Sequence, residues 1–507
     1  MADLFEIAID SPVYGPRASD TLFNSSRRKL SLFLLIGGFC LFIRLVPLFF
    51  GADGTLPTRD QHVSYVLLAS GLVNGCGFAP RFGKRCGPPE LERTPGYPLF
   101  LAGVQNRTVT RIVQDVLGGL ICIAVAIFAW RQWGFFAGLI AELLVGFDIA
   151  SILNSNTILS DTLFAALVTS ALLLLSLPAG ILNLQRAVAV LCAAILIGLA
   201  MLVRPIGQIL IVVPPVALLF FRASPTRKYL LIAASLALSS MSIFLWSYRN
   251  YLKSGNWVFS SVSAVNLYAY RAAGAVAYEE NRPFEQVRSD FLRSLSHMSN
   301  FTISNNDAEV RGSQRKRSEP TWSTWGMTFD ANPVEMRNRG VKILLAHPWA
   351  ASIITVKGLL RNCFWVQRQT LGAFLFGPQF DPGRQLRGAD FSRKILTVLS
   401  FPGLLVLMLI QLLVLALTWI GVGLAWRAPR EAVADRQSPI AVPLLFAFLL
   451  LVAAAGPEAS DRFRVPAMPA LALLAAYGWS SSLRRIRSRE SQEGDVTSRL
   501  LSDHANI

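Results

Sequence analysis

Long apolar runs alternate with short polar connections along most of the 507 residues. Runs lie near 30–50, 109–130, 133–152, 161–178, 187–203, 205–221, 229–247, 395–426, 438–455 and 464–482. Roughly 20 apolar residues in a helix cross a bilayer core of about 30 Å. The pattern therefore predicts an all-α polytopic membrane protein with about ten transmembrane helices. The 395–426 run is too long for one straight span, so part of it tilts strongly or lies along the interface. The first run follows about 29 polar residues and has no small-x-small cleavage site, so an uncleaved anchor is expected rather than a signal peptide.

Two longer polar segments interrupt the pattern, 51–96 and 248–391. Composition fits the same class. The chain is 53% hydrophobic and only 16% charged, against about 25% charged in soluble domains. The net charge of +17 then reports orientation and membrane-lipid contact, not nucleic acid. Arg27, Arg28, Lys29, Arg131, Arg186, Arg222, Arg227, Lys228, Arg427, Arg430, Arg484, Arg485, Arg487 and Arg489 all fall on one side of a ten-span arrangement. That side is cytoplasmic by the positive-inside rule. The reading is a cytoplasmic N-terminal tail over 1–29, a membrane domain over 30–483 and a polar, disordered cytoplasmic tail over 484–507. The two long segments face outward. Within the second, 341–365 is expected as one amphipathic helix on the outer surface. A full span there is the alternative, and it would invert the C-terminal half.

In the first outer segment, Tyr65, Leu68, Ala69 and Leu72 recur at helical spacing and make one apolar face. Asp60 falls near the start of that helix, where the dipole favours a carboxylate. A glycine-rich turn, Asn74-Gly75-Cys76-Gly77-Phe78, follows. Cys76 and Cys86 are expected to form a disulfide if that side is oxidising. The remaining cysteines, Cys40, Cys122, Cys192 and Cys363, read as small apolar packing groups. Pro95 and Pro98 then break the chain as it re-enters the membrane. Broken backbone at membrane depth is tolerated where it lines a polar cavity.

Polar residues collect at the same outer ends of the spans. They are Arg111, Gln114 and Asp115; Asn154, Asn156, Ser160 and Asp161; Arg204; Trp246, Arg249 and Asn250; and Glu458, Asp461, Arg462 and Arg464. One arginine at a span end is usually a snorkelling anchor. Arginine or acid in several separate connections suggests function. The planar guanidinium fork suits phosphate in particular.

Read in order, the landmarks are Gly75-x-Gly-Phe78, Arg93-x-Pro-Gly-Tyr-Pro-Leu-Phe-Leu-Ala102, Ser160-Asp-x-Leu-Phe164, Gly198-Leu-Ala-x-Leu-x-Arg-Pro205, Trp246-x-x-Arg-Asn250 and Arg462-Phe-Arg-x-Pro-x-x-Pro469. This series resembles polytopic glycosyltransferases of the C fold. The branch it is most similar to holds the protein O-mannosyltransferases and the lipid A aminoarabinose transferase. The resemblance implies transfer of a sugar from a polyprenyl-phosphate donor to a lipid, glycan or protein acceptor at the outer face of the plasma (inner) membrane. It implies an essential acid in the first outer loop, and Asp60 holds that place. Relatives often show Asp-Glu there, where this chain has Asp60-Gln61. Asp161 matches a position that is usually Glu.

The chemistry fits those residues. Asp60 can act as general base on the acceptor hydroxyl, in one inverting displacement. Arg93, Arg204, Arg249 and Arg462 are the phosphate-contact candidates. Tyr65 and Tyr97 can stack on sugar or prenyl surface, or serve only as packing aromatics, and Asp161 joins the substrate-binding set. No cofactor is expected. His62, His297, His347 and His504 form no ligand spacing, and a divalent metal on Asp60 and His62 is a minor alternative. The sequons at Asn106 and Asn300 are short patterns with many chance matches. The basic run 311–317 reads as a solvated loop. The competing function is a carrier or flippase for a lipid-linked substrate. Carriers tend to show internal repeats and polar groups at mid-membrane, and neither pattern is evident here.

Overall fold

The computed structural model describes residues 16–49, 59–176, 181–296, 333–364, 402–427, 438–455 and 461–505. Several expectations lie outside the described residues. They are 51–58 of the first outer segment, 297–332 and 365–391 of the second with His297, the Asn300 sequon and the basic run 311–317, then Glu458 and Arg430, and the side chains of Asp60, His62, Asp461, Arg487, Arg489 and His504.

The chain is an all-α polytopic membrane protein. Its first helix, α1 (Pro16–Phe49), packs along α4 (Arg107–Trp133), which turns at Gly134 into α5 (Phe135–Gly146). Helix α6 (Ile149–Ser155) follows, then α7 (Asp161–Leu175) and α8 (Leu184–Val203), which pack on each other. A 3-10 segment (Pro205–Val212) continues into α9 (Val213–Leu219), and α10 (Pro225–Ser254) returns along α8. Among the described residues, five helices are long and apolar enough to cross a membrane: Arg27–Leu48 of α1, α4, α8, α10 and Leu405–Trp426.

The other predicted spans are built differently. The 133–152 run breaks after Gly146, and α5 and α6 meet at 55°. Asp148 causes the break by capping α6, its carboxylate accepting from Ser151 N at 3.0 Å. The 205–221 run is not one α-helix, because Pro214 and Pro215 in its middle withhold N–H donors. The 3-10 stretch rises about 2.0 Å per residue, so these 15 residues still cover about 26 Å.

The expected single helix over 341–365 is two helices, α14 (Pro333–Ala346) and α15 (Pro348–Phe364), bent by 103° at His347. Pro348 has no N–H to donate and disfavours helical backbone before it. Helix α16 (Pro402–Arg427) covers the described part of the 395–426 run, followed by α17 (Ser438–Ala455). A one-turn helix, α18 (Asp461–Arg464), leads into α19 (Met468–Ala505). The tail read as disordered therefore continues α19 as helix to Ala505. Its Arg, Glu, Ser and Leu residues are compatible with helix.

The first outer segment folds as predicted into α2 (Arg59–Val73), with Tyr65, Leu68 and Ala69 buried on one face. A small antiparallel hairpin, β1 (Arg81–Phe82) and β2 (Arg85–Cys86), turns at Gly83, and Cys76 and Cys86 are disulfide-bonded. The hairpin loop closes on α2 at Gly71, where any side chain would strike the Ala79 carbonyl. Short helix α3 (Gly96–Val104) then leads to α4. A second set of helices packs together: α11 (Val262–Val265), a π-helical turn (Asn266–Ala272), α12 (Ala273–Glu279), α13 (Phe284–Ser296), α14 and α15. It joins the first outer segment through Ser261 N to Leu91 O at 3.1 Å.

Candidate functional site

The site grows from a polar connection buried inside the helix bundle. Residues Asn154 to Ser160, from the last turn of α6 to the start of α7, are all at most 8% exposed. Backbone buried this way needs internal partners. Gln114 of α4 supplies them, its amide nitrogen donating to Ser155 O at 2.8 Å and Thr157 O at 2.7 Å. Asn156 donates to Arg44 O at 2.7 Å and Asp115 Oδ1 at 3.1 Å. The Arg44 guanidinium in turn donates to Gly146 O and Val145 O, each at 3.1 Å. Arg44 and Asp148 are wholly buried members of this frame that the hydrophobic pattern does not single out.

Asp161 opens α7 on top of this frame, its side chain fully buried. Each of its carboxylate oxygens pairs with a different arginine. Oδ1 accepts from Arg204 Nη1, and Oδ2 accepts from Arg462 Nε at 2.8 Å. Arg204 caps the end of α8, and Arg462 comes from α18, about 300 residues after Asp161. The three groups carry a formal charge of two minus one, or +1. Arg204 also lies over the rings of Phe164 and Phe463, with its central carbon 5.8 and 5.5 Å from their centroids. The aromatic faces keep a partly desolvated guanidinium in place.

Tyr65 and Tyr97 roof this centre. The Tyr65 hydroxyl is 3.3 Å from Ser160 Oγ, and its ring meets Tyr97 edge-on at 4.9 Å. Tyr97 is fully buried and donates to Gln114 Oε1 at 2.8 Å. The turn into α3 lies tight against the end of α8. A side chain at Gly96 would collide with the Leu202 carbonyl, two residues before Arg204. Arg93 reaches the other face of the cluster, 5.4 Å from the Tyr65 centroid, and pairs with Glu92 at 3.2 Å. Burial opposes the charge on Arg93, but Glu92, Tyr65, Glu90 and Tyr270 together outweigh it and push its pKa above the ordinary arginine value.

The predicted residues therefore separate. Asp161, Arg204, Arg462, Tyr65, Tyr97 and Arg93 come together. Arg249 stands apart, its guanidinium donating to Glu90 O at 2.6 Å, Phe78 O at 3.0 Å and Asn250 Oδ1 at 2.8 Å. It stacks on Phe78 and Trp246 and so binds α10 to the disulfide loop. Asp60 lies in the first turn of α2, five residues before Tyr65, about 7.5 Å along the axis. Its side chain is outside the described residues. Phe164, Phe463 and Ser160 complete the cluster, and each sits inside the Ser160–Phe164 or the Arg462–Pro469 landmark. Among the described residues, no group of three or more His, Cys, Asp or Glu side chains is placed to hold a metal.

No protein-family model matches the chain, and no curated protein does. Among solved structures it is similar to the archaeal oligosaccharyltransferase AglB from Archaeoglobus fulgidus, determined with an inhibitory peptide and a dolichol-phosphate. That match has a TM-score of 0.45 and 13% identity, over 92% of this chain and 52% of the other. This chain thus spans about half the length of that protein. It is also similar to ArnT from Cupriavidus metallidurans, in the apo state (TM-score 0.33, 14% identity) and bound to undecaprenyl phosphate (TM-score 0.35, 13% identity). Both matches cover 90% of this chain and 78% of the other.

Proposed function

We propose that this chain is a membrane glycosyltransferase that moves a sugar from a polyprenyl-phosphate donor to an acceptor hydroxyl at the outer face of the plasma (inner) membrane, with both termini cytoplasmic. The observation that carries the reading is the Asp161 clamp, one buried carboxylate holding Arg204 and Arg462 beneath Tyr65 and Arg93. Two guanidinium groups fixed in one place can take a phosphate bidentately, and a low-dielectric setting strengthens that attraction. Asp161 keeps the pair assembled before the donor arrives, so little reorganisation is needed when charge develops on the leaving phosphate.

The reaction needs one more group. In this scheme Asp60 takes the proton from the acceptor hydroxyl as its oxygen attacks the anomeric carbon. The bond from that carbon to the phosphate oxygen breaks, and the electron pair leaves on the polyprenyl phosphate beside Arg204 and Arg462. A single displacement inverts the anomeric centre. The course of α2 supports this role for Asp60, since the same helix carries Tyr65 to the clamp about one and a half turns later. Arg93 borders the same space from the loop side. Arg249 enters the proposal only as a support for that loop.

The test is sugar release from radiolabelled sugars on dolichol phosphate and undecaprenyl phosphate, using purified protein in lipid. Wild type is expected to turn over at least one donor, and Asp60→Ala to abolish turnover in a folded preparation. Transbilayer movement of intact lipid without turnover of any donor would instead make the chain a carrier.

A further inference from the structure

Beyond the clamp, aromatic and cationic side chains continue in alternation into the second helical set. Arg93 lies over Tyr65, and the backbone just before it is bonded to the segment that leads into Tyr270, Ser261 N donating to Leu91 O and Ser260 Oγ to Glu92 O. Tyr270 belongs to the π-helical turn, a rare element that often marks functional positions. Arg288 of α13 donates Nη2 to the Tyr270 hydroxyl at 2.8 Å and lies 4.5 Å from its ring centroid. The order is thus the Arg204 and Arg462 clamp, Tyr65, Arg93, Tyr270 and Arg288.

Local packing holds this strip in register. Two residues before Tyr270, Tyr268 points inward, its ring tilted against Phe291 at 4.9 Å between centroids and its hydroxyl 2.9 Å from Ser294 Oγ. The loop that carries Arg93 is fastened to the same segment through Ser261 N to Leu91 O. Neither arginine is used up. The Nε groups of Arg93 and Arg288 are buried and have no acceptor among the described residues. A buried donor left unmade is costly, and an incoming anionic oxygen would recover that cost. Arg288 also pairs with Glu285 at 3.2 Å, but that carboxylate is 76% exposed, and an exposed pair of this kind contributes little.

We infer that Arg288, Tyr270 and Arg93 form an acceptor subsite that binds an anionic group, phosphate or carboxylate, carried on a sugar or lipid headgroup. The inference rests on the proposed transferase reading for the word acceptor, while the subsite itself can be tested without turnover. Phenol rings beside guanidinium forks suit a sugar bearing one charged substituent. The rings cover its apolar face, and the forks take the anion in a planar, two-point contact.

The probes are glucose 6-phosphate, glucuronate and glucose, titrated into the full chain in phosphatidylcholine nanodiscs and followed by saturation-transfer NMR. At least one charged probe is expected to bind and glucose not to, and the stronger charged probe names the source of the anion. Arg288→Gln is expected to weaken binding at least tenfold. Arg288→Lys, which keeps the charge without the fork, should recover part of it, and Arg339→Gln, at an exposed arginine of α14, should leave it unchanged. Thermal unfolding of each variant separates lost binding from a lost fold. Binding by neither charged probe would overturn the subsite, as would binding abolished by Arg204→Gln and indifferent to Arg288→Gln. Donor turnover plays no part in these readouts, so failure of the transferase reading leaves a distinct signature.

Discussion

The Tyr97 hydroxyl donates to Gln114 Oε1 at 2.8 Å, while the nitrogen of the same amide is spent on the carbonyls of Ser155 and Thr157. One side chain thereby fixes both the roof of the site and the buried loop beneath Asp161. The bonding pattern also sets the amide orientation, since its nitrogen faces two acceptors.

Tyr97→Phe should therefore act through stability and geometry, not through chemistry. It strands a buried acceptor at a cost of about 1–3 kcal/mol. Gln114→Ala strands two carbonyls and should cost more. Thermal unfolding in detergent is expected to rank wild type above Tyr97→Phe and Tyr97→Phe above Gln114→Ala. Equal midpoints for the two variants would show that the loop finds other partners.

Much of this arrangement is legible in the sequence. Spacing in the first outer segment predicts α2, and its buried face carries Tyr65, Leu68 and Ala69. Cys76 and Cys86 read as a disulfide if the outer side is oxidising, and the structure contains that bond. Arginines and acids at span ends mark Asp161, Arg204 and Arg462 individually. Their pairing is not legible, because Arg462 reaches Asp161 across about 300 residues and only packing of α7, α8 and the α18 turn brings them together. Arg249 looks the same as Arg204 in the pattern, yet backbone carbonyls of a neighbouring loop occupy it. A hydrophobicity window also passes over single polar groups within long runs, which hides Arg44 and Asp148.

Removing Arg249 should loosen the disulfide loop without touching the clamp. Arg249→Ala deletes donors to the Glu90 and Phe78 carbonyls and a stacking partner of Phe78 and Trp246. Charged hydrogen bonds of this kind are worth about 1.5–3 kcal/mol each in burial. Limited proteolysis should cut the 74–92 region of the variant faster than that of wild type. Mild reductant should accelerate cleavage further, since the Cys76–Cys86 bond is another tie on the same loop. Unchanged cleavage in both conditions would count against Arg249 as the anchor.

Glu90 should make this loop sensitive to pH. Burial, and next the Glu92 carboxylate, push its pKa from the ordinary 4.5 up to about 7, against the backbone N–H donors of Arg93 and Glu92 and the Arg93 charge. The folded form thus holds the proton more tightly than the unfolded chain. Its stabilising contribution is complete below about pH 4.5 and is lost as pH rises through about 7. Thermal midpoints measured from about pH 4.5 to about 8 should fall in wild type relative to Glu90→Gln, whose side chain does not titrate. Parallel pH curves would show that Glu90 is ionised throughout.

The clamp itself predicts strong non-additivity. Asp161→Asn removes the only charge opposing Arg204 and Arg462 within the triad and leaves two desolvated cations side by side. Breaking a buried ion pair from one side costs about 3–5 kcal/mol, most of it the burden of the uncompensated partner. Arg204→Gln alone leaves Asp161 still paired with Arg462, so its cost should be smaller. In the double variant, Asp161→Asn with Arg204→Gln, both substituted side chains are neutral, and one cation is left where Asp161→Asn leaves two. The double variant should therefore lose clearly less than the sum of the singles, with a coupling of about 1–3 kcal/mol in a thermodynamic cycle. Activity should behave differently, because phosphate binding needs both guanidinium groups. The double variant is expected to regain stability and remain inactive towards a polyprenyl-phosphate sugar. Additive stabilities would show that the two residues do not form one unit. Activity regained in step with stability would remove Arg204 from the phosphate site.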